Sequence, residues 1–160
     1  MKIFKYGDDV NTDVIFPGKY TYTITDPNEM AKHALEDLDP DFAKTVEKGD
    51  IIVAGKNFGC GSSREQAATC IKYAGVDVII AKSFSRIFYR NCINSGLLAI
   101  ECPEVVDKIN KKSRIEIKRE QNKLIVDGVE YSYPPIPEAV RDIIDSGGLI
   151  SYLQKRFKKG

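Results

Sequence analysis

Residues 59–64 read Gly-Cys-Gly-Ser-Ser-Arg and bring a thiol, two hydroxyls and a guanidinium within reach of one another. Gly55, Gly59 and Gly61 give the backbone room to turn sharply and leave open space above it. Upstream, residues 50–54 form a short apolar, β-branched run with the character of a buried strand. Downstream, Ala67, Ala68, Ile71 and Ala74 share one helical face, and Gly75 ends the pattern. The chain therefore runs strand, glycine-rich turn, helix N-terminus. That order aims free N–H groups and a positive dipole end at one point, with Ser62, Ser63 and Arg64 beside it. A carboxylate or a phosphate suits such a point. An arginine in a first helical turn opposes the dipole by roughly a few tenths of a kcal/mol, a cost that a bound anion cancels.

The same residues also satisfy a plainer reading. Ser62 and Glu65 fit the S-x-x-E capping box, in which the serine starts the helix by accepting from the N–H of Glu65. A capping serine can still face a ligand, so the two readings coexist. Two phosphate-loop patterns fail. G-x-x-x-x-G-K-[ST] lacks its lysine after Gly61, and G-x-G-x-x-G meets Arg64 where its third glycine belongs. Cys60 lies near a helix N-terminus, where thiol pKa values fall, so a catalytic thiol is a further reading, although its sequence neighbourhood holds no histidine. Cys70, Cys92 and Cys102 read as buried reduced thiols. No C-x-x-C pair occurs, and the single histidine, His33, cannot complete a zinc site, so no metal ligands are assigned to this chain.

A second polar group sits upstream. Asn11, Thr12 and Asp13 lie between apolar residues, as an Asx-type turn or as the source of a buried carboxylate that positions Arg64. Pro17-Gly18 then opens a stretch rich in tyrosine and threonine, with Tyr20, Thr21, Tyr22 and Thr23 at its centre. It reads as an edge strand or as a substrate-facing loop. Asp26, Pro27 and Glu29 are N-cap, N1 and N3 of a helix on which His33 is a surface residue.

The elements that must hold these groups follow from pattern. Residues 2–6 read as a first strand. From position 50 the chain alternates strand and helix through residues 76–81, 86–93 and 97–100, which predicts an α/β fold with a mainly parallel sheet and right-handed crossover helices. Ligands then bind beyond the carboxyl ends of the strands, where residues 59–64 sit. Residues 103–110 read as a short helix. Three short strands with tight turns at Gln121-Asn122 and Asp127-Gly128 predict a C-terminal antiparallel meander. Helices over residues 137–145 and 149–157 close the chain, with a basic end at Lys155, Arg156, Lys158 and Lys159 that suits the dipole.

Length and composition bound the function. A chain of 160 residues, 42% apolar and 29% charged, reads as one globular domain over residues 1–160. A net charge of +1 gives no electrostatic case for nucleic acid. The apolar runs are too short to span a membrane, and the N-terminus lacks a signal-peptide core, so the cytoplasm is the expected location.

Three stretches together carry a resemblance: residues 11–20 (NTDVIFPGKY), residues 55–67 (GKNFGCGSSREQA), and residues 81–91 (AKSFSRIFYRN) with Asn94-Ser95-Gly96-Leu97-Leu98. They resemble the small-subunit family of 3-isopropylmalate dehydratases, the stand-alone swivelling β/β/α domain of the aconitase superfamily. The resemblance implies a hydro-lyase that isomerises a small hydroxy-dicarboxylate by eliminating and re-adding water. It implies that a separate large subunit carries a [4Fe–4S] cluster on three cysteines, so that this chain binds no cofactor itself and works in a heterodimer or heterotetramer. It implies Ser62 as the base, Arg64 as its stabiliser and carboxylate grip, and Ser63 as a hydrogen-bond donor to substrate. Asp13 and Thr12 match the family's T-D position, and Tyr20, Thr21, Tyr22 and Thr23 match its substrate loop. Tricarboxylate members carry an arginine on that loop, and this chain has none. The resemblance therefore implies an apolar substituent, as in isopropylmalate, ahead of homoaconitate and citrate, with dimethylmalate-type substrates left open. Gln66 stands where many members have histidine. A non-catalytic anion- or nucleotide-binding module is the competing class for the same loop.

Overall fold

In a computed structural model of the chain, which describes residues 1–158, the parallel sheet is built from Ile3–Lys5 (β1), Ile51–Ala54 (β2), Val78–Ala81 (β3) and Leu98–Glu101 (β4), in that spatial order. Every neighbouring pair is parallel, with Val53 opposite both Lys5 and Ile80, and Ile80 opposite Ile100. β2 and β3 are buried along their whole length. That follows from their uninterrupted Ile/Val/Ala sequences, because a parallel sheet is covered on both faces.

The two-residue period of the strands divides the sheet between two cores. Ile52, Ala54, Ile79, Ala81 and Ala99 face one, and Ile51, Val53, Val78, Ile80 and Ile100 face the other. Two helices cover the first face, Glu65–Ala74 (α4) through Ala67, Ala68 and Ile71, and Arg86–Asn94 (α5) through Phe88 and Cys92. Phe16, Leu35 and Phe42 complete that core. They come from a long irregular connection that holds three short helices, Thr12–Ile15 (α1), Pro27–Ala31 (α2) and Phe42–Thr45 (α3). Leu124, Val126, Tyr133 and Ile144 cover the second face, together with Pro103–Val106 (α6). Each buried Ile, Leu or Phe of these cores contributes about 1.5–3 kcal/mol by leaving water.

The meander forms as its turns predict. Ile115–Lys118 (β5), Lys123–Val126 (β6) and Val129–Ser132 (β7) pair antiparallel in order. Asp127 and Gly128 both take positive φ, 49° and 84°, the conformation that a two-residue hairpin turn requires. The layers are thus meander, parallel sheet and helices, an α/β arrangement of β/β/α type. Glu138–Asp145 (α7) and Leu149–Lys158 (α8) end the described chain, with Lys155, Arg156 and Lys158 in the last turn of α8. Lys159 lies outside the described residues.

Two local expectations are corrected. Residues 19–25 are not an edge strand. Gly18–Tyr20 is a 3-10 turn, and Thr21 N and Ile24 N bond back to the carbonyls of Gly18 and Tyr20 at 3.1 Å each. The short i→i+3 and i→i+4 bonds satisfy the backbone locally, so no sheet edge is presented. The capping box also does not form. Helix α4 begins at Glu65 with Arg64 as its N-cap, and no side chain caps it.

Candidate active site

The glycine loop leaves β2 at its carboxyl end and is held from two sides. Gly59 N donates to Val10 O at 2.7 Å, and Thr12 N donates to Cys60 O at 2.8 Å. The buried Thr12 hydroxyl then donates to Ser62 O, also at 2.8 Å. On the other side Phe58 N donates to Ser83 O and Ser85 N to Phe58 O, both at 3.0 Å. The Phe58 ring meets Phe84 and Phe88 edge-on. Gly59 rests against that aromatic cluster with φ of +83°, and a Cβ there would collide with Phe88 Cγ and Cβ. Gly59→Ala combines a left-handed backbone cost of about 1–2 kcal/mol with overpacking of about 1–3 kcal/mol. We expect chemical-denaturation midpoints to show a loss of about 2–5 kcal/mol. An unchanged midpoint would mean that the loop yields where it meets Phe88.

This clamp explains why Ser62 does not cap the helix. Thr12 takes its carbonyl from fifty positions away, and Arg64 N donates to the same oxygen at 2.9 Å. The tight turn leaves Ser62 and Ser63 exposed in front of α4. Their hydroxyls form no hydrogen bond among the described residues.

Arg64 is placed by the N-terminal segment. Its guanidinium pairs with the Asp13 carboxylate, and Nη1 donates to Phe16 O at 3.2 Å and Thr21 Oγ1 at 3.3 Å. A planar fork with several donors can meet such a set of acceptors where an ammonium cannot. Asn11 makes the arrangement possible. Its Oδ1 accepts from Val14 N at 2.9 Å and caps α1, which puts Asp13 in that helix's first turn. The segment thus contains both the Asx-type turn and a carboxylate in contact with Arg64. The expectation of burial does not hold: the Asp13 side chain is 62% exposed, while that of Arg64 is 17% exposed. Asp13 reaches Arg64 across Gly18, whose missing side chain leaves the pair uncrowded; a Cβ there would stand 3.3 Å from Arg64 Nη1.

The loop residues divide. Thr21 joins the site through Arg64. Tyr20 turns away from it. The Tyr20 hydroxyl donates to both carboxylate oxygens of Glu36, at 3.1 and 3.2 Å, and its ring packs against His33 at 4.1 Å between centroids, tilted by 33°. His33 Nδ1 lies 3.0 Å from Glu36 Oε1. The Glu36 carboxyl is held below its ordinary value, first by the His33 hydrogen bond, against some desolvation, and further by Tyr20. His33 is thus half-buried within a brace rather than free on a helix surface. Tyr22 is 94% exposed, and Thr23 is exposed beside it at the loop tip. The structure brings Asp13, Arg64 and Thr21 into contact, places Thr12 under the loop, and leaves Ser62, Ser63, Tyr22 and Thr23 open to an incoming molecule.

Gln66 is the participant that sequence reasoning passed over. From the first turn of α4 its Nε2 donates to Thr21 O at 2.8 Å. The signal was thin, because a glutamine in a first helical turn is common and its partner here is a backbone carbonyl. The thiols behave as expected. Burial raises the pKa of Cys70, Cys92 and Cys102, and Cys60 is half-buried within the loop. A cavity of about 430 Å³ lies elsewhere, between α5, β4 and residues 133–136. Among the described residues no three Cys, His, Asp or Glu side chains converge as metal ligands, and no helix is long and apolar enough to cross a membrane.

Known proteins share this chain's sequence and fold. The aconitase C-terminal domain family matches residues 9–105, which hold the Asn11 segment, the glycine loop and α5. The 3-isopropylmalate dehydratase small subunit of Caldicellulosiruptor bescii is 51% identical over 99% of this chain and 96% of its own length. Small subunit 1 of the Thermotoga maritima enzyme is 53% identical over 96% of this chain and 93% of its own. The crystal structure of a 3-isopropylmalate dehydratase from Methanocaldococcus jannaschii superimposes with a TM-score of 0.89 at 45% identity, covering 99% of this chain and 97% of that one. A strand–glycine loop–helix site braced by an N-terminal Asn-Thr-Asp segment, on a β/β/α frame matched along nearly its whole length, places this chain in the small-subunit family of 3-isopropylmalate dehydratases, within the aconitase superfamily.

Proposed function

We propose that this chain is the small subunit of a hydro-lyase that interconverts 2-isopropylmalate and 3-isopropylmalate by dehydration and rehydration, a step of leucine biosynthesis, in the cytoplasm. The observation that carries the reading is the pairing of two exposed, uncommitted hydroxyls, Ser62 and Ser63, with an arginine that Asp13, Phe16 O and Thr21 hold in place. Elimination of water removes a proton from carbon next to a carboxylate, so negative charge accumulates there. Ser62 Oγ takes that proton. A serine is a weak base unless its alkoxide is stabilised, and the cation of Arg64 and the positive end of α4 lie beside it in the chain. Arg64 also grips a substrate carboxylate, and Ser63 donates to it. A preorganised donor of this kind lowers a barrier by about 3–4 kcal/mol.

The chain's own thiols do not suit an iron–sulfur cluster. Three are buried with raised pKa values, which opposes the thiolate form that such a ligand needs. On this reading the [4Fe–4S] cluster belongs to a separate large subunit, where it supplies Lewis-acid chemistry toward the leaving hydroxyl. This chain then completes a heterodimer or heterotetramer by presenting its open serine loop.

The loop supports an apolar substituent. Its tip, Tyr22 and Thr23, is uncharged, and the neighbouring Lys19 ammonium lies 5.1 Å from the centre of the Tyr20 ring. A third carboxylate left unpaired there would cost on the order of several kcal/mol if desolvated. We expect kcat/KM for isopropylmalate to exceed that for homocitrate by at least about a hundredfold. Equal values would move the chain to the homoaconitase group, and activity on dimethylmalate alone would move it to that type. The founding assay mixes the chain with an anaerobically reconstituted large subunit and follows hydration of isopropylmaleate. Activity that needs both chains supports the proposal. Anion or nucleotide binding by the isolated chain, with no activity beside any large subunit, would make it a binding module.

A further inference from the structure

Resting on that function, we propose that Gln66 is a positioning residue for substrate selection, setting the distance between the loop tip and Arg64. The loop carries its anchors on two adjacent residues. Tyr20 is braced outward, by its hydroxyl on Glu36 and its ring on His33. Thr21 is braced inward, its carbonyl on Gln66 Nε2 at 2.8 Å and its hydroxyl on Arg64 Nη1 at 3.3 Å. Beyond them Tyr22 and Thr23 stand in solvent, and Thr23 Oγ1 reaches only Lys19 O, at 3.5 Å.

Of the two inward bonds, the one from Gln66 is the shorter. It is also the one that survives when substrate engages Arg64, because a carboxylate arriving at the guanidinium competes with Thr21 Oγ1 for the same donors. The amide of Gln66 has no such competitor. Gln66 and Arg64 stand two positions apart at the start of α4, so the helix start that places the carboxylate grip also fixes the carbonyl from which the tip projects. The substrate is thus measured between two points on one rigid element: Arg64 holds its carboxylate end, and the tip held by Gln66 meets its variable end.

Gln66→Glu tests this with almost no change of shape, since it replaces the donating amide by an acceptor that faces a carbonyl. Gln66→His keeps a ring N–H donor. For Gln66→Glu in the reconstituted complex, KM for isopropylmalate rises by about five- to tenfold, the equivalent of one net hydrogen bond, with kcat little changed. The ratio of kcat/KM between isopropylmalate and dimethylmalate falls by a similar factor. Gln66→His stays near wild type in both. In the isolated chain, Gln66→Glu speeds amide hydrogen exchange at residues 21–24 and leaves α4 and the sheet protected, with an unchanged melting temperature. Unchanged KM together with unchanged loop exchange would overturn the proposal. So would a fall in kcat at constant KM, which would move Gln66 into the chemical step, or a general loss of protection with a lowered melting temperature, which would make it a plain structural residue. A wild-type complex inactive on isopropylmaleate would instead sink the proposed function and the kinetic arm with it, while loop exchange would still decide whether Gln66 holds the tip.

Discussion

Ser62→Ala lowers kcat for isopropylmaleate hydration in the reconstituted complex on the order of 10²- to 10⁴-fold, the range for loss of a positioned proton-transfer group, and leaves KM and the melting temperature almost unchanged. The structure separates this outcome from that of a helix cap. A capping serine replaced by alanine costs about 1 kcal/mol of stability. Here α4 starts at Glu65 behind Arg64, and Ser62 contributes to the fold through its carbonyl, which alanine retains. Ser62→Ala is therefore nearly silent in a melting curve and severe in a rate. Ser63→Ala is the companion variant. If Ser63 donates to substrate and Ser62 is the base, as proposed, the variant raises KM by about tenfold at most. A destabilised but fully active Ser62→Ala protein would return the serine to capping. Equal losses for both serines would leave the base unassigned.

Arg64→Lys keeps the charge and still loses kcat/KM on the order of 10²- to 10³-fold. One ammonium cannot reproduce a planar fork that serves Asp13, Phe16 O and Thr21 together, so the cation no longer stands where charge develops. Stability falls too, by about 1–3 kcal/mol, because hydrogen bonds from a charged donor are lost in a mostly buried setting. Asp13→Asn sorts the two contributions. Asp13 is largely exposed, so its ion pair alone is worth at most about 1 kcal/mol, and this variant melts close to wild type while retaining most of its activity. Activity of Arg64→Lys within threefold of wild type would show that a point charge suffices and that the fork has no part in gripping substrate.

The frame of the molecule was legible because each of its signals is local. The apolar runs behind β2, β3 and β4, the glycine that stops α4 and the Asp127-Gly128 turn each declare themselves within a few residues. The site was legible in its residue types but not in its contacts. The S-x-x-E pattern is a local signal too, and it was overruled by Thr12, whose hydroxyl claims Ser62 O from fifty positions away. The Tyr/Thr-rich loop has the composition of a strand, yet anchors on Arg64, Gln66 and Glu36 fold it into turns. Composition cannot register partners that only the fold brings near, which is why neither the bond from Gln66 to the Thr21 carbonyl nor that from Tyr20 to Glu36 could be read from the sequence.

The groups that hold Arg64 all come from one earlier stretch of chain, 43 to 51 positions before it, and the loop ahead of it is stitched to residues 10–12 in the same way. Closing spans of that length costs entropy that only the finished sheet and core repay. A nascent or partly unfolded chain therefore has the Gly-Ser-Ser-Arg sequence but no assembled Arg64 cluster. The Arg64 cluster exists only where these long-range contacts have closed, so it doubles as a check that this part of the fold is complete.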